Sequence, residues 1–140
     1  MIIKVNKEEL EERIEKNFRR LQDPYYQIQE VFSDVSYDWP GDKEGRALLA
    51  FVCHYVIHGR KIPCMDQLIE MLPEKTNSFC FFGEEYGKVI DEQQISGHSW
   101  YLRGLLEYYQ QFGDERTFVY AKSTVENLYL PLRGQIASYT

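Results

Sequence analysis

Two short stretches collect the residue types that act on ligands. "SYDWPGDKEGR" carries Asp38, Asp42, Glu44 and Arg46 around a Pro-Gly turn, and "DEQQISGHSW" carries Glu92, Gln93, Gln94, His98 and Trp100. Carboxylates and amides bond hydroxyl groups, and an indole face covers the apolar side of a sugar ring. Glycoside hydrolysis in its usual form needs two carboxyl groups at a defined separation, and these stretches supply candidates. Capping chemistry explains many of the same residues: Asp42 and Ser96 read as N-caps, and Glu44 as a partner of a helix dipole. His98 reads either as a first-turn histidine bonded to a backbone carbonyl or as a ligand contact.

Other chemistries have weaker footholds. His54 and His58 stand four apart, on one helix face, a spacing that permits metal binding, but no glutamate or third ligand completes an HExxH pattern. Cys53, Cys64 and Cys80 are odd in number and lack CxxC spacing, so they read as free thiols and no metal site or cofactor is assigned. Neither a glycine-rich phosphate loop nor a GxSxG nucleophile elbow occurs.

The 140 residues suit one domain, and 44% hydrophobic with 15% aromatic content argues for a packed core. The net charge of -6, with acid and base interleaved, lacks the basic stripe that a nucleic-acid backbone requires. "MIIKVNKEEL" turns charged too early for a signal peptide, and no apolar run approaches a membrane span. A cytoplasmic protein with neither nucleic acid nor membrane as partner is expected.

The elements that position these residues are helical. Leu10, Ile14, Phe18 and Leu21 predict an amphipathic helix over Asn6 to Leu21, with Asn6 as cap and Glu9 in a capping box. Residues 24 to 40 read as irregular. A helix apolar on much of its surface runs from Lys43 to His58 and closes at Gly59. A shorter one follows from Met65 to Leu72, stopped by Pro73. "PEKTNSFCFFGEEYGKVIDEQQ" is a long loop whose aromatics suit a functional segment better than a disordered one. Helices from Gly97 to Phe112 and from 115 to 130 complete the set, the last capped by Asp114 and stopped by Pro131; the tail has no evident secondary structure.

Gly59 and Gly113 close two long helices 54 residues apart, and a shift of 54 lays Leu48 on Leu102, Phe51 on Leu105, Val52 on Leu106 and Tyr55 on Tyr109. A helix pair at a period near 50 predicts an all-α fold of stacked helical hairpins. Loops before equivalent helices then share one rim, which places the two polar stretches side by side.

"DWPGDKEGRALLAF", "EQQISGHSWYLRGLLEYYQQFGDE" and "ENLYLPLRG" together resemble the N-terminal part of the β-L-arabinofuranosidase-like glycoside hydrolases, over roughly residues 34 to 135. The resemblance implies helical hairpins forming part of an (α/α)6 toroid, with a carbohydrate ligand bound at its mouth. It matches His98 to a family histidine in the sugar pocket and sets Asp42 near the same mouth; Gln94 and Trp100 complete the expected binding set. The family's nucleophile is a cysteine held on zinc by further cysteines and a glutamate. Cys53, Cys64 and Cys80 do not match that motif, so no catalytic residue or metal is carried over and catalysis is left undecided. A ring of six hairpins at this period needs roughly 300 residues. The chain is therefore expected to be a fragment, a truncated frame or a shortened relative, inactive alone, that self-associates through an uncovered apolar flank. The alternative is a small helical protein-interaction domain whose rim is capping chemistry alone.

Overall fold

The computed structural model describes residues 6–33, 38–85 and 91–135, which are all-helical and contain no strand. The α-helices are α1 (Lys7–Arg20), α2 (Ile28–Val31), α3 (Asp42–His58), α4 (Met65–Lys75), α5 (Glu92–Phe112) and α6 (Glu115–Thr124). A 3-10 turn at Pro24–Tyr26 precedes α2, and α6 runs on into a π turn (Val125–Tyr129) and a 3-10 turn (Leu130–Leu132). The residues after 135 lie outside the described set, as do 34–37 and 86–90.

Local chemistry sets most boundaries. Asn6 Oδ1 accepts the Glu8 N–H at 3.1 Å, while Glu9 pairs with Arg13 at 2.6 Å rather than reaching back to the cap. Gly59 and Gly113 close α3 and α5 in the left-handed region, at φ 65° and 67°. Pro73 does not stop α4, which continues to Lys75 with the Thr76 N–H closing on the Leu72 carbonyl at 3.0 Å. So close to the helix end, the missing proline N–H interrupts little of the ladder. α5 begins five residues before Gly97, because Asp91 and not Ser96 caps it: Asp91 Oδ1 accepts the Gln93 and Gln94 N–H groups at 2.9 and 3.1 Å. Gly41, at φ 85°, takes the cap position expected for Asp42, which becomes the first helical residue.

The fold is organised on the contact between α3 and α5. They run parallel, with the start of α3 against Gly97 and Tyr55 near its end against Phe112, ring centroids 5.0 Å apart. Three glycines let the backbones meet. A Cβ on Gly45 would lie 2.2 Å from the Tyr101 nitrogen, one on Gly97 2.3 Å from the Pro40 oxygen, and one on Gly104 2.9 Å from the Gly45 oxygen. Leu48, Phe51 and Leu105 are fully buried in this seam, each stabilising by about 2–3 kcal/mol relative to exposure. α4 adds Met65, Leu68, Ile69 and Leu72 to the same core. α6 buries Thr117, Ala121 and Thr124, with Leu128 beyond it. The repeat's pairing is uneven, since Val52 is buried and its equivalent Leu106 is 40% exposed. Two of the tyrosines bond across the packing through their hydroxyls: Tyr108 donates to Asp66 Oδ1 at 2.8 Å and Tyr129 to the Ile95 carbonyl at 2.6 Å.

Candidate functional site

Gly97 is pressed onto the Pro40 carbonyl, so the "DWPGD" turn and the "SGHSW" segment do share one end of the α3–α5 pair. His98 lies one residue on, in the second turn of α5 rather than the first, and is fully buried. A Cβ on Gly41 would stand 3.2 Å from its ring, so the turn closes over the imidazole.

Both nitrogens of that ring are engaged. Nδ1 contacts the Gln94 carbonyl at 2.6 Å, which makes it the donor, and Nε2 accepts the Phe82 N–H at 2.9 Å. Gln94 is buried beside it and donates its amide to the carbonyls of Phe82 and Glu84 at 2.8 and 2.9 Å. The pair thus satisfies both main-chain groups of Phe82. Phe81 and Phe82 pack on the ring at centroid distances of 5.8 and 6.2 Å. Burial pushes His98 down to about 4, against a smaller upward pull from the Gln94 carbonyl and Asp91. A neutral Nδ1–H tautomer fits every contact, and a proton on Nε2 would set two donors face to face.

This clamp fixes Phe82 and Glu84 of the loop against α5. Asn77 Oδ1 accepts the N–H groups of Phe79 and Phe81, and its amide donates to the Gly83 carbonyl. Cys80 sits in the left-handed region at φ 66°, and its carbonyl accepts from Thr124 and Tyr101 at 3.3 and 3.4 Å.

The rim proper is built from α3. Asp42 is buried and accepts from Arg46 Nε at 2.8 Å, and the Arg46 guanidinium lies 4.1 Å from the Trp100 ring centroid. Asp42, Arg46 and Trp100 therefore form one connected string, although an arginine covers an indole face expected for a sugar. Asp42, Lys43 and Arg46 line a cavity of about 320 Å³ with Arg20, Tyr25 and Tyr26. His98, Gln94 and Trp100 do not line it, so this cavity does not gather the four expected residues. Glu44, half-buried, is raised to about 7 by desolvation, against the pull of its own and the Gly41 backbone N–H and of Lys43.

The second histidine pair lies elsewhere. His54 is buried and stacks between Phe18 of α1 and His58, at centroid distances of 5.0 and 4.9 Å. Its Nε2 has no hydrogen-bond partner, alone among buried side-chain nitrogens and oxygens of the described residues. Burial, then the neighbouring His58 and Arg60, lower its proton affinity. Among the described residues no group of three or more His, Cys, Asp or Glu is placed to hold a metal. The cysteines are unpaired, Cys64 buried with its thiol 3.3 Å from the Tyr26 carbonyl.

Sequence reasoning missed the glycine seam and the loop clamp. Gly97 and Gly104 stand seven apart, a spacing that keeps small residues on one helix face, and that signal was available. The partners of Gln94 and His98 lie in a loop with no periodic pattern, so no comparable signal existed. The chain matches no protein-family model, no curated protein and no solved structure.

Proposed function

We propose that the chain is a helical interaction module that pairs with a second copy of itself through the α5–α6 face. One observation carries this reading: Leu102, Leu106, Phe118, Val125 and Leu130 line an open apolar groove there. Leu106, Phe118 and Leu130 are 40%, 42% and 55% exposed. Contiguous apolar surface of this kind marks an interface. Lys122 and Glu126 border it one turn apart and pair within the chain at 3.8 Å. One charge of each sign on this border lets it be complementary to itself across a twofold axis. The engaged nitrogens of His98 favour this reading over catalysis at the rim, because a ligand there would have to displace the Phe82 main chain.

Sedimentation across the micromolar range tests it. The wild-type chain sediments as a dimer, and Phe118→Glu with Leu106→Glu gives a folded monomer, since both positions face solvent in the single chain. A wild-type monomer throughout overturns the reading.

A second reading, an incomplete carbohydrate-binding toroid of the arabinofuranosidase kind, draws on the rim cavity. Its volume of about 320 Å³ falls in the range of small-ligand sites, and Tyr25, Asp42 and Arg46 offer it hydroxyl-bonding groups. Turnover of β-L-arabinofuranosides, with or without zinc and abolished by Asp42→Asn in a folded protein, favours this second reading.

A further inference from the structure

The groove between α1 and α3 is chemically one-sided. Leu10, Ile14 and Ile57 give it apolar walls, Arg13 and Arg20 stand along it, and among the described residues no acidic one lines it. Its volume is about 640 Å³, well inside the range of pockets that hold small organic ligands. The buried, unpartnered Nε2 of His54 belongs to one of its lining residues. Arg13 is partly neutralised by Glu9 at 2.6 Å, whereas Arg20 has no ion-pair partner among the described residues. Buried polar atoms in folded proteins are nearly always bonded, so an orphan on a residue that lines a groove calls for a partner supplied from outside.

We propose that this groove binds a medium-chain aliphatic carboxylate, its alkyl chain along Leu10, Ile14 and Ile57 and its head group on His54 Nε2–H with Arg20 as countercharge. The walls call for an apolar body, and the surplus of cations calls for a single anionic end. A carboxylate there also reverses the electrostatics of His54: the groups now facing it are His58, Arg60 and the more distant Glu15, which leave the imidazole below its usual range. An added negative charge raises it. The proposal is independent of the α5–α6 pairing, which lies on the other side of the α3–α5 seam.

Calorimetric titration of the full chain with decanoate, kept below its micelle concentration, tests the proposal, with decanol as the uncharged control. Decanoate binds at one site per chain, about tenfold or more tighter than decanol. Arg20→Gln, an exposed change that leaves the fold intact, weakens decanoate by about tenfold and leaves decanol unchanged. His54→Phe, which keeps the stacking on Phe18, abolishes the preference for the acid. Ring NMR of the wild-type protein shows the His54 pKa rising as decanoate is added. Equal binding of acid and alcohol, no binding, no response to Arg20→Gln, or loss of binding on Phe118→Glu instead each overturns it. Should His54→Phe fail to fold, Arg20→Gln and the ring titration decide.

Discussion

His98 and His54 are both buried, both on long helices and both ringed by aromatics, yet their chemistry differs. His98 donates to one main-chain carbonyl and accepts from one main-chain N–H. His54 leaves a nitrogen without a partner beside an open groove. The first ring is a fastener that brings Phe81 and Phe82 of the loop into the core. The second is a polar group the fold does not satisfy. Burial alone did not separate them; an account of every ring nitrogen did.

The comparison can be broken most forcefully at the seam that holds His98 in place. Gly97→Ala puts a methyl group 2.3 Å from a main-chain oxygen, where neither partner can yield without moving a helix. It is expected to destabilise by more than ~3 kcal/mol in urea unfolding. His98→Phe removes both ring nitrogens and strands the Phe82 N–H. A loss of about 2–3 kcal/mol is expected, with hydrogen-exchange protection lost across residues 77–84. A stability change below ~1 kcal/mol would show that the clamp does not hold the loop.

Acid sharpens the contrast. The native pKa of His98 is depressed to about 4, so the unfolded chain binds the proton first. The contribution of His98 is complete above pH ~6.5 and is lost as pH falls from there toward about 4, by about 3 kcal/mol in all. Glu44 works in the opposite sense: its carboxyl, raised to about 7, makes the native state hold a proton that the unfolded state releases. Its contribution is present below the ordinary carboxylate range and is lost as pH rises to 7. Glu44→Gln is therefore expected to stabilise at pH 8 by roughly 1–2 kcal/mol and to do little at pH 4. The two stability curves, measured with and without Glu44→Gln, separate the histidine from the carboxylate. The smallest effect belongs to His54→Phe, which removes an unsatisfied polar atom on a residue that borders an open groove. Thermal melting is expected to show it neutral or stabilising by up to ~1 kcal/mol, the reverse of His98→Phe.

The helices were legible because their apolar positions recur at helical spacing and their ends carry asparagine, aspartate and glycine. Leu48, Phe51 and Leu105 landed in the core as that pattern requires. The start of α5 differs because Ser96 reads as an N-cap, whereas Asp91 caps the helix and Gly97 lies inside it as a site of backbone contact. The apolar spacing reads as one helix through residue 130, but past Thr124 it passes into π geometry and then a 3-10 turn that contains Pro131. Asn127 there gives its side-chain amide to the Ser123 carbonyl at 2.9 Å, a bond that composition cannot forecast. The shared rim followed from the 54-residue shift and is present in the packing. The direction of each side chain at that rim did not follow, because His98 and Gln94 answer to a loop whose path is set by tertiary contacts.

Ring-nitrogen NMR of the histidines from pH 8 to pH 4 tests the central claim most directly. The account predicts that His98 stays a neutral Nδ1–H tautomer until the pH approaches about 4, bonded through Nε2 to the Phe82 amide. A His98 ring that titrates near pH ~6.5, like a free imidazole, or that carries its proton on Nε2, contradicts it.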